Sequence, residues 1–351
     1  GRQLRSEMYR LDLEPETPGF LATGRRRVGI HERIGASGKI LIPLDEEKLL
    51  AAARYLVDQE KVTAMAVCYL FSFVNPAHEL RTRELVQQLY PELPISLSHE
   101  VDPVFREYER LCLTTFDAYL QPIVSTYLNA LVDALRNLGL PCEIWTMPSR
   151  GGLSSTLMAS QRPVSTLLSG PAAGVIGARY VSDLVGFADC ITLDMGGTSA
   201  DIALVTQGKA MTTTEGHIYR YPLRIPMVDV NTIGAGGGSL AWLDAAGGLR
   251  VGPQSAGAVP GPACYGRGGK TPTVTDASLV LGYIDPSNFA EGTLNIDPDA
   301  AWKAVEIVAD PLGLSVPEAA SGIHRIVNAK MADEIRLVSV KQGYDPRDFT
   351  L

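Results

Sequence analysis

Hydrophobic and polar positions in the first third of the chain switch between a helical period and a strand period. Residues 44–59 place apolar side chains at helical spacing after an acidic first turn, which predicts a helix, and 62–73 form an apolar run typical of a buried strand. A helix over 77–90 and a short strand over 94–100 follow, and turn residues at 35–38 predict an earlier β-hairpin. Strands that alternate with helices indicate an α/β layer with a parallel sheet.

Beyond residue 100 the pattern moves from long helices to short strands. In order, it predicts a helix over 104–135 broken near Pro122, a strand and glycine loop over 142–155, a helix over 169–185, an antiparallel meander over 190–216, a loop-rich region over 231–275, and helices over 300–308 and 318–340. No internal repeat of fixed period is visible in the sequence.

The helix predicted over 169–185 has an unusual face. Gly170, Gly174 and Ala178 recur every four residues, so this face carries almost no side chain and lets another backbone come close. Two interpretations stay open, a buried crossing between two domains or an ordinary tight helix contact.

The composition is that of an ordinary globular protein, and it narrows the class of function. Hydrophobic residues make up 46% of the 351 positions and charged residues 20%, and this length suffices for two domains with separate cores. The net charge of −8 argues against nucleic acids and anionic membranes as partners, and the longest apolar run is too short to span a bilayer. The five cysteines show no CxxC pair, so we expect a reducing, cytoplasmic location.

Glycines lie between two strands in the segment "ITLDMGGTSADIALV". It lacks the Gly-Lys-Ser/Thr of a Walker loop and the GxGxxG of a dinucleotide site, and a strand leads both in and out. A hairpin tip without side chains lets backbone N–H groups converge on an anion, and Asp194 can meet a phosphate through Mg²⁺. The alternative is an Asp–Gly turn with a capping carboxylate. The D-x-G-G-T-x-x-D pattern favours phosphate, with the site residues Asp194 (catalytic and metal-binding), Gly196, Gly197, Thr198 and Ser199.

A second glycine-rich segment, "NTIGAGGGSLAW", offers further candidates. The amides of Gly236, Gly237 and Gly238 could line a phosphate or substrate cleft, or the segment could be a flexible hinge. Asp229, just before it, is a candidate catalytic carboxylate for a second metal or for substrate, and a turn-capping role is equally open.

Other reactive side chains favour ordinary roles. Cys264 could be a nucleophile, but no histidine is near it in sequence, so a plain loop cysteine is favoured. Arg267 could bind an anion or be solvated, and Glu107 and Glu109 sit among arginines as a salt-bridged helix face would. The histidines form no HxH or HxxxH pair.

Four glycine-rich segments in order make the sequence similar to a known family. They are "LLSGPAAGVIGA", "LDMGGTSADIALV", "VDVNTIGAGGGSLAWLD" and "GAVPGPACYGRGGKTPTVTDASLVLG". Together with "VNPAHE", "FREYER" and "GYDPRDFTL", they resemble the hydantoinase A / 5-oxoprolinase family, within the actin, Hsp70 and sugar-kinase ATPase superfamily. Asp117 is a departure, because the family pattern leads us to expect asparagine there.

The resemblance implies a fold and an activity. The expected fold is α/β, a two-lobed actin-like ATPase (ribonuclease H-like) with mixed sheets flanked by helices. The first lobe would cover 1–165, a connecting helix 166–187 and the second lobe 188–351. The expected function is ATP-dependent hydrolysis of a cyclic amide, such as 5-oxoproline or a hydantoin, with Mg²⁺ or another divalent metal. A ketone carboxylase subunit and a non-catalytic nucleotide-binding subunit stay open.

The resemblance also bears on partners and on the ends of the chain. It implies a second subunit of the hydantoinase B type and a homo- or hetero-oligomer. Residue 1 is not Met, and the apolar stretch at 345–351 looks like the start of a strand. Family members carry a first phosphate loop before this point and another glycine loop after it. We therefore expect a fragment, incomplete at both termini and inactive alone.

Overall fold

The computed structural model describes residues 21–22, 24–140, 143–218 and 221–351, and the chain divides into two compact units. The first unit takes in the described residues of Gly1–Ser169 and Thr212–Met227, and the second takes in those of Gly170–Met211 and Val228–Leu351. Cys142, where a predicted strand begins, and the start of the predicted first lobe lie outside the described residues. The lobe boundaries inferred from the sequence stay predictions.

The first unit begins with the predicted hairpin and an alternation of strands and helices. Its elements up to residue 161 are β1 (Arg33–Ile34), β2 (Ile40–Ile42), α1 (Glu46–Arg54), β3 (Met65–Val67), α2 (Ala77–Leu89), β4 (Ile95–Leu97), α3 (Ser98–Val101), α4 (Glu107–Asn137), β5 (Trp145–Thr146), β6 (Ser154–Ser155) and α5 (Thr156–Gln161). Strands β1 and β2 pair antiparallel, and β3 and β4 pair parallel across α2, as the alternating pattern predicts.

The apolar run at 62–73 is mostly not a strand. Only Met65–Val67 is extended, and residues 70–74 form turns. Phe71 has a φ of 57°, a left-handed conformation that ends an extended segment. The prediction of a strand across the whole run is therefore wrong, because an apolar run can equally be a buried turn.

The predicted break at Pro122 is also wrong. Helix α4 runs without interruption over Glu107–Asn137 with Pro122 inside it. A proline removes one N–H from the helix, whereas Leu113 and Leu128, both buried, anchor the helix on either side. The hydroxyl of Thr126 donates to the Pro122 carbonyl at 2.7 Å, one turn further on.

The next elements form a meander and then return to the first unit. They are α6 (Ser169–Leu184), β7 (Cys190–Met195), β8 (Ala200–Thr206), β9 (Lys209–Ala210), β10 (Thr212–Thr213), β11 (Gly216–Ile218), β12 (Tyr221–Leu223) and β13 (Met227–Val228). The pairs β7–β8 and β8–β9 are antiparallel, so the predicted meander is confirmed for these three strands. The segment that follows packs Leu223, Ile225 and Met227 against Leu113 and Phe116 of α4 in the first unit.

The remainder of the second unit contains more strand than the sequence predicts. Its elements are β14 (Val230–Ile233), β15 (Ser239–Leu243), β16 (Leu249–Ser255), α7 (Val274–Val280), α8 (Pro298–Leu312) and α9 (Val316–Lys341). Three strands therefore lie in the region expected to be loop-rich, and β15 and β16 form a hairpin. The prediction fails here because the three strands are short and glycine-rich turns at 234–238 and 247–248 separate them.

The central sheet of the second unit, in the order β14–β8–β7, lies between two helices. Ala172 and Val175 of α6 pack on one face, and Val338 of α9 packs on the other against Ile202 and Leu204. Strand β8 is buried along most of its length. None of the helices in the described ranges has both the length and the apolar character of a membrane span.

Candidate functional site

The predicted phosphate loop is the tip of the β7–β8 hairpin. Asp194 pairs with Asp201 and Met195 with Ala200, so residues 196–199 form the turn. The N–H of Gly196 donates to the Ser199 carbonyl at 2.9 Å and closes the turn. The register of β7 against the largely buried β8 therefore fixes the position of the loop.

Several polar groups at this tip are free to bind a ligand. Across the described part of the chain, the amides of Gly197, Thr198 and Ser199 donate to no protein acceptor, and the hydroxyls of Thr198 and Ser199 have no protein partner. The Asp194 carboxylate is exposed and likewise has no partner in that part of the chain. Converging amides next to a carboxylate suit a phosphate accompanied by a cation.

Asp201 belongs to this site, although the sequence analysis assigned it no role. Directly paired residues on antiparallel strands share a face, so the side chains of Asp194 and Asp201 lie on the same side of the sheet. The Thr232 hydroxyl on β14 donates to Asp201 Oδ1 at 2.5 Å. Two carboxylates in direct cross-strand register repel each other unless a cation lies near them. The signal in the sequence was the last position of the D-x-G-G-T-x-x-D pattern.

An open cavity of about 340 Å³ lies between α6 and this face of the sheet, within the second unit. Thr192, Asp194 and Asp201 supply its polar lining, and Gly174 and Ala178 line it from α6. A Cβ at Gly174 would lie 3.5 Å from Asp194 Oδ2, so the small-residue face of α6 leaves room above the carboxylate. Gly170 and Gly174 are exposed among the described residues, and both interpretations of the small-residue face stay predictions.

The second glycine loop packs against the first. Gly237 N–H donates to the Gly196 carbonyl at 3.0 Å, and Gly238 N–H donates to the Gly197 carbonyl at 2.6 Å. The peptide bonds Gly196–Gly197 and Gly197–Thr198 are both trans. The cis peptide bonds in the described chain precede Pro253 and Pro260. In a trans peptide the C=O and N–H point in opposite directions, so the amides of Gly197 and Thr198 point away from the second loop. The second loop thus orients two of the free donors.

Glycine is required in the second loop because the two loops touch. A Cβ at Gly236 would lie 2.6 Å from backbone atoms of Thr198, and one at Gly238 would lie 2.8 Å from the Gly197 oxygen. The N–H of Gly236 donates to the buried Ser239 hydroxyl at 2.9 Å. The three amides predicted to contact phosphate therefore bond within the protein, and their assignment to the ligand stays an untested prediction.

Asp229 does not join the carboxylates at the hairpin tip. It precedes Thr232, the residue aligned with Asp201, by three positions, which is about 10 Å along a strand. Its backbone N–H donates to Met211, and its carboxylate receives a long contact of 3.4 Å from Gln342 Nε2. Among the described residues, no three His, Cys, Asp or Glu side chains lie together as a metal site would require.

Three other polar residues that the sequence drew attention to are buried and bonded within the protein. Cys264 is fully buried, and burial followed by the nearby Asp276 raises the pKa of its thiol, so the thiol is a poor nucleophile. Arg110, one of the arginines beside Glu107 and Glu109, is 1% exposed and donates to Ser98 and to the backbone carbonyls of Val104 and Tyr69. Asp117 is buried, and it accepts from the Ser96 hydroxyl at 2.7 Å and from the Val164 N–H at 3.1 Å.

Comparison with known proteins identifies the family. Residues 110–351, more than half of the chain, match the family model described as Hydantoinase/oxoprolinase, and residues 1–90 match the model of its N-terminal region. The chain belongs to the hydantoinase/oxoprolinase family. The resemblance stated from the four glycine-rich segments is confirmed.

Two relatives and one solved structure indicate what this hydantoinase/oxoprolinase chain is similar to. It is 42% identical to the caprolactamase subunit alpha of Pseudomonas jessenii, over 99% of this chain and 50% of the relative. It is 39% identical to the acetophenone carboxylase gamma subunit of Aromatoleum aromaticum, over 92% and 45%. The crystal structure of the ATP-dependent caprolactamase from Pseudomonas jessenii matches with a TM-score of 0.79 at 40% identity, over 96% of this chain and 49% of that one.

These matches confirm the predicted fold class, an α/β actin-like ATPase fold with mixed sheets and flanking helices. They also support ATP-dependent chemistry as the general kind of activity in this family. The chain spans about half the length of these relatives.

Proposed function

We propose that the protein uses Mg-ATP to activate a cyclic amide for hydrolysis, and that the hairpin tip between β7 and β8 holds phosphates of the nucleotide. The observation that carries this proposal is the pair of outward amides, Gly197 and Thr198, beside the unpartnered Asp194 carboxylate. Fixed donors aimed at an anion need no rearrangement when the ligand arrives.

Asp194, with Asp201 beside it, would hold Mg²⁺ or another divalent metal. The groups at this end of the sheet that could ligate a metal are oxygens, from the two carboxylates and the hydroxyls of Thr198 and Thr232. An all-oxygen set fits a hard cation better than zinc or copper. When bound, the metal would neutralise charge on the phosphates.

The contribution of the chain to such a reaction is positioning. The loop amides would orient the phosphate chain, and the carboxylates would hold its countercharge. When bound, ATP would supply the γ-phosphoryl group for the amide oxygen of the substrate with ADP as the leaving group, which would make the amide carbon more electrophilic toward water. The small face of α6 would keep space over Asp194 for these groups. Gly236–Gly238 would support the loop from behind. Asp229 has no place in this phosphate site, so any catalytic role for it would be separate.

The comparisons support the substrate class and a partner. One relative is named a caprolactamase, which suggests a lactam or a similar cyclic amide as substrate here. Both relatives are named as subunits of larger enzymes, so we propose a second subunit and a hetero-oligomer.

The test is Asp194→Ala in the full-length protein, with Asp333→Ala on the exposed face of α9 as the matched control. We expect ATP turnover to fall about 100-fold or more in Asp194→Ala, as for the loss of a group that stabilises transition-state charge. Asp333, whose side chain is 75% exposed, should be replaceable without effect. Unchanged turnover in Asp194→Ala would reject the assignment.

A ketone carboxylase subunit is the second candidate, because the acetophenone carboxylase subunit is nearly as similar as the caprolactamase subunit. Isotopically labelled bicarbonate separates the two. Label in a carboxylated product supports the carboxylase, and an opened lactam without label supports the hydrolase. A purely nucleotide-binding subunit is excluded if the full-length chain alone shows substrate-stimulated ATP hydrolysis.

A further inference from the structure

One residue on α7 anchors the second glycine loop through a single carbonyl. The N–H of Thr275 donates to the Gly237 oxygen at 2.7 Å, and the Thr275 hydroxyl donates to the same oxygen at 2.8 Å. A Cβ at Gly237 would lie 2.8 Å from that hydroxyl, so the contact also requires glycine at this position. Two donors on one acceptor fix the orientation of the peptide that follows Gly237.

That peptide leads directly to the phosphate loop. The Gly237 oxygen and the Gly238 N–H belong to one trans peptide, so holding the oxygen aims the N–H in the opposite direction, at the Gly197 carbonyl 2.6 Å away. The Gly197 oxygen and the Thr198 N–H belong to the next peptide in the series. A line of hydrogen bonds therefore runs from Thr275 through two peptides to the free amide of Thr198, and each bond in such a line polarises the next.

Thr275 is itself held rigidly. It lies in the first turn of α7, where Thr273 and Asp276 form a reciprocal capping box. Asp276 is fully buried and also accepts from the amides of Ala263 and Cys264. Val274 and Ala277 pack into the main hydrophobic core of the second unit. The start of the line is thus fixed to the core rather than to a mobile loop.

We propose that the Thr275 hydroxyl is a positioning group for the phosphate loop, setting the direction of the Thr198 amide without touching the nucleotide. This role rests on the proposed function of the loop. It makes the "TVTDAS" segment, which contains the N-cap and first turn of α7, a determinant of nucleotide affinity that acts through the Gly237 peptide.

The test is calorimetric titration of Mg-ATP into the full-length protein and its variants. Thr275→Val keeps the branched shape and the backbone N–H but removes the hydroxyl, and Thr275→Ser restores the hydroxyl. We expect Thr275→Val to raise the Kd about 3- to 10-fold, the size of one lost hydrogen bond, and Thr275→Ser to stay near wild type. Ser339→Ala, which removes a buried hydroxyl bonded to Ile335 on α9, is the matched control and should leave the Kd unchanged.

The titration separates positioning from stability, because stoichiometry reports the folded fraction and Kd reports the geometry of the site. A fall in stoichiometry at unchanged Kd would make Thr275 merely structural and overturn the proposal. An unchanged Kd with full stoichiometry would overturn it as well. If Thr275→Val does not fold, Thr275→Ala removes the same hydroxyl and is scored in the same way. No binding of Mg-ATP by the wild type would instead reject the proposed function, and the positioning role with it.

Discussion

Asp194 and Asp201 face each other across β7 and β8. Without a cation their charges repel, and with one they become ligands. We expect Asp201→Asn to raise the free energy of unfolding of the nucleotide-free protein by about 0.2–1 kcal/mol, because a like-charge cross-strand pair is removed. The same variant should weaken Mg-ATP binding about tenfold or more, since a charged partner is lost.

Thermal denaturation without nucleotide and titration with Mg-ATP check the two halves of this prediction. Asparagine can still accept from the Thr232 hydroxyl, so the bond between β8 and β14 is kept. A variant that is both less stable and unchanged in binding would show that Asp201 is a structural residue.

Asp117 gives a prediction that depends on pH. Burial raises the pKa of its carboxyl above the ordinary 3.8, although the hydrogen bonds from Ser96 and Val164 lower it. The folded state therefore holds the proton more tightly than the unfolded state, so the stabilising contribution is complete below 3.8 and is lost as the pH rises through the raised pKa.

Asp117→Asn should accordingly be more stable than the wild type at neutral pH, and the gain should shrink as the pH falls toward the ordinary carboxyl range. Melting temperatures measured from about pH 4 to about pH 8 report this difference. Asp133→Asn, at a side chain 71% exposed, is the control and should show no such trend. A gain independent of pH would contradict burial of the charge as the cause.

At the scale of elements, the second glycine loop has less space for an added side chain than α6 has. A Cβ at Gly236 meets the backbone of Thr198 at 2.6 Å, whereas a Cβ at Gly177 on α6 meets nothing within 4 Å. We expect Gly236→Ala to lose about 1–3 kcal/mol of unfolding free energy by overpacking and to weaken Mg-ATP binding by displacing the phosphate loop. Gly177→Ala should gain about 0.4–1 kcal/mol, as glycine replacements in helices do. Equal behaviour of the two variants in chemical denaturation would contradict the loop contact.

Helix α4 tests the cost of an internal proline. Pro122 leaves the helix continuous but removes one hydrogen bond to the preceding turn. We expect Pro122→Ala to raise the free energy of unfolding by about 1–3 kcal/mol, which urea denaturation would measure. A loss of stability would mean that packing around the proline ring outweighs the missing bond.

These elements show how far the sequence could predict the structure. The β7–β8 hairpin was predictable because glycines separate two clear strand periods, and α1, α2 and α9 followed from apolar spacing. Strands β14–β16 were missed because each is short and the glycine-rich turns between them dominate the local pattern. The candidate site was found at Asp194 but not at Asp201, because only the register of the β7–β8 pair shows that the last aspartate of the pattern lies beside Asp194. The bonds of Gly237 and Gly238 to the first loop could not be read from spacing either.

At the scale of the whole molecule, the chain leaves the second unit after Met211 and returns at Val228. The intervening segment carries Arg224, which donates to Asp102 Oδ2 at 2.6 Å and ties the segment to the first unit. Local patterns extended the meander to residue 216, because a hydrophobic period does not show which core a strand joins. The segment Thr212–Met227 contributes no residue to the phosphate loop. The loop therefore depends on the second unit for its register and support.

Binding of Mg-ATP should nevertheless need more than this loop. The chain spans about half the length of its relatives, so their activities draw on residues that it does not match. The hairpin tip offers donors for phosphate, whereas the described cavity of about 340 Å³ on this face has no aromatic side chain in its lining on which a base could stack. We therefore predict that the 351-residue chain alone binds Mg-ATP at least tenfold more weakly than a polypeptide of the relatives' length, a difference of about 1.4 kcal/mol or more.

Calorimetry on both proteins checks this, with inorganic triphosphate as the control ligand. If triphosphate binds both proteins equally while ATP prefers the longer one, the loop supplies the phosphate contacts and the added chain recognises the nucleoside. Equal ATP affinity would mean that the second unit and its hairpin tip suffice.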